Sequence, residues 1–530
     1  GMGSTKRRRV DPPGDDGAAE DDEPALLVGG RAATIDASST VEAPRRPSPS
    51  GIHTSTTASG DGFEVGRTSV SSLICRPPHS AASVAPLGER LRNGYLVAFP
   101  TETVYGLGAN GLDASAVLKI FEAKGRPLND PCILHIPSIA EALELVELEG
   151  STERAVFERL AGACWPGPLS IVARASARVP RVVTAQTDFV AVRSPAHPVA
   201  QTLLQAARVP VAAPSANRFG HVSPTCAEHV AKDLGHVDGL RILDGGPCGV
   251  GIESTVVKLD IANGRVVVLR KGGTTGEQLE RVLAEGAAEG AFGGTNVRLE
   301  FYSPSHAAGG TSSASAGSPR EAADDSSAQQ APGMMLKHYA PSVPTFLISA
   351  RVAEGEQAST EEAVGAVGDP SQAVLIDMGS RLSEYQALFS HTFDLAVGEA
   401  RGDAAATASP ISSTPAAAAE EACRRVFATL REAEAVAEAT CARLICIADF
   451  AANAATRGSL EEALHDRLFR AASGQRLDLL VRRPLGRPPV AVFVRCPASA
   501  ATNSANGVAA EGSSVAPAGG GGLGSDGRGC

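Results

Sequence analysis

A chain of 530 residues is long enough for two to four domains of about 100–200 residues each. Apolar residues make up 43% but aromatics only 4%, and there are 56 Gly and 35 Pro, so folded units should alternate with segments too poor in apolar surface to fold. The formal charge of −11 excludes polyanion binding by bulk electrostatics, and no run of about 18 apolar residues predicts a membrane span.

Residues 1–72 are rich in Ser, Thr, Pro, Gly and Ala without periodicity, which predicts a disordered segment. Within it, Lys6-Arg7-Arg8-Arg9-Val10 reads either as a nuclear import signal or as a solvated charge cluster. The acidic residues that follow, Asp15 to Glu23, argue against an organellar transit peptide. Ten scattered cysteines with no C-x-x-C pair suit reduced thiols, so a cytoplasmic location is expected, with nuclear import as an option.

From 73 to 290 short β-rich runs alternate with helical patterns, as in an α/β domain. Strands are predicted at 95–99, 133–136, 169–173, 190–192, 209–213, 240–243, 254–259 and 266–269. Helices are predicted at 84–93, 113–124, 138–147, 152–163, 197–207, 226–234 and 276–285, with Asp113 as an N-cap. Residues 291–342 read as a Gly/Ser/Ala-rich linker. A second, smaller α/β domain is expected over 343–500, with strands at 346–348, 374–376 and 444–447 and helices at 417–439 and 459–472. Residues 501–530 form a low-complexity tail predicted to be disordered.

Several motifs sit at strand ends, where α/β proteins place ligands. Phe99–Gly111 (FPTETVYGLGANG) reads as a loop between a strand and a helix, in which Thr101, Thr103 and Tyr105 offer hydroxyls and the glycines allow close approach. A Gly-rich turn with a capping Thr is the plainer reading. Lys124-Gly125-Arg126 could converge on a triphosphate, or simply complement a helix C-terminus. Ala213-Pro214-Ser215-Ala216-Asn217 offers donors for phosphate or metal-bound water, or a self-stabilising turn; it lacks the nucleophile-elbow pattern. Arg193 ends an apolar strand and could fork onto a carboxylate, or make a surface ion pair. Gly251–Val256 runs into another strand, and Leu269-Arg270-Lys271-Gly272 ends the next.

In this order the segments PTETVYGLG, KGRP, WPGPLS, VAVRSPAHP, APSAN, GIESTVV and LRKGG resemble the YrdC-like family. HYAP at 338–341 and DRLFRAAS at 466–473 are similar to its longer, two-domain form, the threonylcarbamoyl-AMP synthases of tRNA modification. The resemblance implies an α/β fold: a YrdC-like twisted mixed-sheet domain with a concave ligand cavity, linked to a smaller Rossmann-like C-terminal domain. It implies a nucleotidyltransferase that converts L-threonine, bicarbonate and ATP to threonylcarbamoyl-AMP and diphosphate, with Mg²⁺ entering on ATP and no organic cofactor. A downstream tRNA threonylcarbamoyl transferase would be the partner, with tRNA not held tightly and no membrane involved.

By the same resemblance Lys124, Arg126, Ser215 and Asn217 would be catalytic. Arg126, Asp130, Ser215, Ser223, Arg270 and Tyr339 would bind ATP, with His338 and Tyr339 as a lid. Thr103, His135, Arg193, Ala213 and Ser254 would bind threonine. Asp130 stands where the family commonly has Asn, which should weaken anion binding unless the carboxylate meets Mg²⁺. The stretch LREAEAVAEA at 430–439 lacks several charged positions that the two-domain form leads one to expect. Two other readings are a non-catalytic RNA- or nucleotide-binding module and the carbamoyl-transfer domain of hydrogenase maturation. Against the first, residues 71–290 hold 21 Lys and Arg and 22 Asp and Glu, too balanced for a nucleic-acid surface. Against the second, the chain has no paired C-x-x-C motifs.

Overall fold

The computed structural model describes residues 70–77, 79–302, 329, 338–353, 366–396, 414–450, 458–482 and 490–495. Residues 1–69, with the basic pentamer at 6–10, and the tail 501–530 lie outside these residues, as does nearly all of 303–337; the last three residues of the N-terminal segment predicted to be disordered are instead helical, in Val70–Leu73.

Twelve strands build the first sheet among the described residues. They are β1 (Ile74–Cys75), β2 (Val97–Phe99), β3 (Gly106–Asn110), β4 (Ile133–His135), β5 (Val146–Glu147), β6 (Leu169–Ala175), β7 (Phe189–Arg193), β8 (Val211–Ala212), β9 (Arg241–Leu243), β10 (Thr255–Asp260), β11 (Arg265–Arg270) and β12 (Arg298–Phe301). Their order is β1-β9-β2-β3-β8-β4-β7-β6-β10-β11-β12, with β5 paired to β6. Parallel pairs such as β10 with β6 and β4 with β7 alternate with antiparallel ones, so the sheet is mixed.

All eight strands predicted for this region form. The Gly-rich stretch expected as a loop does not stay one: Gly106–Asn110 is β3, antiparallel to β2 and to β8. Its glycines replace the usual β-formers because neighbours crowd them; a Cβ on Gly108 would lie 2.9 Å from Val211 Cγ1. The helix expected at 138–147 stops after Leu143, and Val146–Glu147 becomes β5. The expected linker at 291 starts too early, since Arg298–Phe301 pairs in parallel with β11 and extends the sheet.

The helices form where the caps call for them. Asp113 accepts from the Ser115 and Ala116 amides, and Gly125 closes that helix in the left-handed conformation. A large core, including Phe157, Trp165, Leu134 and Phe121, packs these helices on the sheet.

The second sheet contains β13 (Thr345–Ala353), β14 (Ala366–Gly368), β15 (Ala373–Asp377), β16 (His391–Asp394), β17 (Leu444–Ala448), β18 (Arg476–Arg482) and β19 (Val490–Arg495), in the order β14-β19-β18-β13-β17-β15-β16. The five strands from β18 to β16 are parallel, and β19 and β14 add an antiparallel edge. Helices Pro415–Thr440 and Leu460–Ala471 supply the crossovers from β16 to β17 and from β17 to β18.

The two sheets share apolar packing. Val104, Val222 and Ile252 of the first domain and Tyr339 join Phe427, Val426 and Leu430 of the second in one buried cluster. Charge seals the contact. Arg431 grips Asp233 with two guanidinium nitrogens at 3.0 and 2.9 Å, and His221 bridges Asp233 (2.8 Å) and Glu434 (3.1 Å). The stretch 430–439 therefore does carry charged groups that matter: Arg431 and Glu434 are both buried in it. Gly251 marks how close the domains come. Its φ is +80°, and a Cβ there would lie 2.4 Å from the Arg424 Cα.

The contact should depend on pH. Burial opposes charge on His221, but its hydrogen bonds to Asp233 and Glu434 outweigh this and raise its pKa above the ordinary 6.5. Glu434 is also buried, yet His221 and the Ser342 amide hold it down to about 2. A raised His contributes stability that is fully present below its unfolded pKa and is lost as pH rises through its folded pKa. A depressed Glu contributes above its unfolded pKa and loses that contribution only as pH falls through the folded one. We expect the melting temperature to fall as pH rises above about 6.5, and that fall to flatten in His221→Gln, as a thermal melt at each pH would read. An unchanged slope in the variant would assign the pH effect elsewhere.

Candidate active site

Loops from both halves of the first sheet converge on a narrow cavity with about 50 Å³ of free space. Thr101, Thr103, Val104 and Gly106 come from the β2–β3 turn and the start of β3, and His135 and Arg193 from the ends of the parallel pair β4 and β7. Ala213, Pro214 and Ser215 follow β8. Glu253 and Ser254 precede β10, and Arg270 ends β11. His338 and Tyr339 cover the cavity, and Arg126 completes the wall.

One end is built around Arg193. Its Nη1 donates to Thr103 Oγ1 (3.0 Å), its Nη2 to Glu102 Oε1 (2.6 Å) and its Nε to the Gly167 carbonyl (3.2 Å). A guanidinium has five N–H groups, so two remain for an anion. Thr101 and Thr103 share a hydroxyl bond of 2.8 Å, which orients the Thr103 oxygen. His135 is edge-on to Phe99, 5.9 Å between ring centres. Burial, reinforced by Arg193, pushes its pKa down to about 3, so it is neutral.

The other end holds Arg126, Ser215, Ser254 and Arg270. Arg270 donates to the Ser254 carbonyl (2.9 Å) and hydroxyl (3.0 Å), and Ser170 shares a bond of 2.9 Å with that hydroxyl. Gly272 allows this wall to form, since a Cβ there would sit 2.3 Å from the Glu253 carbonyl oxygen. Burial lowers the Arg270 pKa. Arg126 is anchored by the Pro131 carbonyl (2.7 Å) and by the Asp130 carboxylate (2.9 Å).

His338 and Tyr339 form the roof. Their rings are 4.1 Å apart, and Tyr339 packs on Phe427 of the second domain at 5.2 Å. Tyr339 has φ +64°, unusual for a bulky residue, and the Ala340 amide bonded to the Gly220 carbonyl (2.9 Å) helps hold it. The Tyr339 hydroxyl and His338 Nδ1 are buried with no hydrogen-bond partner among the described residues. The lid residues thus reach the cavity despite the long segment before them.

Of the residues expected in the site, Thr103, Arg126, His135, Arg193, Ala213, Ser215, Ser254, Arg270, His338 and Tyr339 line this cavity. Others stand behind it. Lys124 is turned away, its Nζ donating to the Ser215 (2.6 Å) and Asn217 carbonyls. Burial, with help from Arg126, lowers its pKa to about 7. Its place suits shaping the Ser215–Asn217 turn rather than gripping phosphate. Asn217 takes the Ser215 hydroxyl on Oδ1 and donates to the Arg218 and His221 carbonyls. Ser223 donates to Glu253 (2.8 Å). Asp130 pairs with Arg126 rather than facing an anion, so its charge positions a cation. Tyr105 donates to the Gly246 carbonyl (2.8 Å), outside the cavity. Glu102 and Glu253 were not singled out from sequence, although both lie inside quoted motifs.

The Sua5/YciO/YrdC family model, described as telomere recombination, matches residues 89–272, and the model of the threonylcarbamoyl-AMP synthase C-terminal domain matches 274–473. The chain is 32% identical over 162 residues to the threonylcarbamoyl-AMP synthase of Klebsiella pneumoniae, covering 30% of this chain and 82% of that protein. The chain belongs to the Sua5/YciO/YrdC family. Its arrangement is the two-domain Sua5 form. The crystal structure of Pyrococcus abyssi Sua5 complexed with L-threonine aligns with 78% of this chain and 99% of that one, at a TM-score of 0.54 and 33% identity. Against the threonylcarbamoyl-AMP synthase of P. abyssi the sequence is 43% identical over 259 residues, 49% of this chain. That alignment spans 65% of the relative's length, just under two thirds. No helix among the described residues is long and apolar enough to cross a membrane.

Proposed function

We propose that this Sua5-family chain is an L-threonylcarbamoyladenylate synthase, joining L-threonine, bicarbonate and ATP into threonylcarbamoyl-AMP, with diphosphate and water released. The observation that carries this reading is one roofed cavity with a carboxylate-binding fork at one end, Arg193 with Thr103, and two arginines with two serine hydroxyls at the other. The neighbouring P. abyssi structure holds L-threonine.

On this reading the threonine carboxylate takes the two remaining donors of Arg193. The uncharged amine then points toward His135, which accepts a hydrogen bond but is too weak a base to take a proton at neutral pH. The amine nitrogen adds to the carbon of bicarbonate and water leaves, giving a carbamate. A carbamate oxygen attacks the α-phosphorus of ATP, and the bond to the β-phosphate oxygen breaks to release diphosphate.

Both partners of the second step are anions, so bringing them together is the main barrier. Arg126 and Arg270 offset that repulsion, and the hydroxyls of Ser215 and Ser254 set the phosphate angle. Magnesium would come in with ATP and would further offset the phosphate charge. The buried Tyr339 hydroxyl and His338 Nδ1 would find partners on the nucleotide, and closure excludes water from the labile anhydride. The product would pass to a tRNA threonylcarbamoyl transferase, and the location proposed is the cytoplasm.

The test is diphosphate release by the full chain with Mg·ATP. Release should require both threonine and bicarbonate, with the mixed anhydride detectable by mass. Turnover indifferent to either would end this reading.

A further inference from the structure

We propose that Arg467, on the second domain, is a positioning residue of the first domain's cavity: it holds the Glu253 carboxylate so that an anionic nucleotide can enter beside it. This rests on the nucleotide-binding part of the function proposed above.

Among the described residues lining the cavity, Glu253 is the one carboxylate, and it shares the wall with three arginines. Unrestrained, it would repel a triphosphate or collapse onto a nearby cation. Both of its oxygens are occupied. Oε1 accepts from the Ser223 hydroxyl at 2.8 Å, and Oε2 accepts from Arg467 Nε at 2.9 Å.

Arg467 itself has no exposed surface. Its Nη2 donates to the Lys271 carbonyl (2.7 Å) and its Nη1 to Asp466 (2.9 Å), while its guanidinium carbon lies 5.5 Å from the centre of the Tyr339 ring. One side chain thus touches the segments before β10 and after β11 and the roof. The neighbouring pair Lys271–Glu462 (2.5 Å) and the Gly276 amide on the Gly458 carbonyl (2.8 Å) clamp the same seam. The site is therefore electrostatically incomplete without the second domain. Arg467 does not itself line the cavity, so it acts through Glu253 and Tyr339.

The experiment is a double-variant cycle on the full chain. The probe is the non-hydrolysable α,β-methylene analogue of ATP with magnesium, its dissociation constant read by calorimetry. Arg467→Gln should weaken binding about 10- to 100-fold, as loss of a supporting partner typically does. Adding Glu253→Gln should recover at least about tenfold of that loss, because the unpaired charge is gone. Arg467→Lys should fall between the wild type and Arg467→Gln.

A merely structural Arg467 would lower the melting temperature but give no rescue by Glu253→Gln. Binding unchanged in Arg467→Gln, or lost beyond rescue, overturns the proposal. If Arg467→Gln does not fold, the lysine variant and the double variant still decide it. The readout needs no turnover. A wild type that binds the analogue without threonine- and bicarbonate-dependent diphosphate release defeats the synthase reading while the cycle stays decisive. A wild type that does not bind the analogue defeats both.

Discussion

Changing Arg193 to Ala is expected to lower kcat/KM for threonine by about 10²- to 10³-fold, most of it as a higher threonine KM. Two effects add. The fork that would take the threonine carboxylate is removed, and Glu102 loses its 2.6 Å partner while its other oxygen still accepts from the Ala196 amide at 3.0 Å. A carboxylate held in place then faces the carboxylate of the substrate. Arg193→Lys keeps the charge but cannot reach Thr103, Glu102 and Gly167 at once, so it should recover only part of the loss. Initial rates across threonine concentrations at saturating ATP measure both variants. Wild-type threonine dependence in Arg193→Ala would remove this residue from the carboxylate site.

The second large effect is on stability. Arg431→Ala should destabilise the chain by about 3–5 kcal/mol, the usual loss when one member of a buried ion pair is removed. Arg431 and Asp233 are both buried, and Arg431 also donates to the Val222 carbonyl. Truncation leaves Asp233 with His221 and the Arg218 amide (3.3 Å) as its remaining partners. The urea midpoint reads the loss. The double variant with Asp233→Ala should lose less than the sum of the two single variants, since the orphaned charge is then absent. Strict additivity would show that the pair contributes nothing beyond its separate members.

These expectations rest unequally on what could be read from the chain itself. Strands such as Leu169–Ala175 and Phe189–Arg193 were legible because their apolar runs and flanking turns are local features. Gly106–Asn110 was not, because a strand of glycines makes sense only once Val97, Phe99 and Val211 are seen pressing on it. The edge strands Val146–Glu147 and Arg298–Phe301 are short or polar and owe their existence to a neighbour. Arg126, Arg193 and Arg270 were found by pattern and do line the cavity. Lys124 was found by the same pattern, but helix register turns it onto the Ser215 and Asn217 carbonyls, and adjacency in sequence says nothing about that. Glu102 and Glu253 carry no sequence signal for an anion site, since a carboxylate repels the ligand; each makes sense only beside its arginine partner, Arg193 or Arg467. Arg431 and Arg467 could not be read as partners at all, since Asp233 and Glu253 lie about 200 residues away in the chain.

The segment Gly251–Ser254 has a consequence for how such a protein can change. Gly251 lies against Arg424, Ile252 in the apolar cluster shared with Phe427, Glu253 against Arg467 and Ser254 against Arg270, so four consecutive positions answer to two domains and a ligand cavity together. The halves are thus not interchangeable parts. A chimaera that grafts a relative's second domain onto this first one inherits a foreign surface opposite this segment. It would have to bring its own version of this short stretch along, making those few residues the unit in which the two halves are inherited.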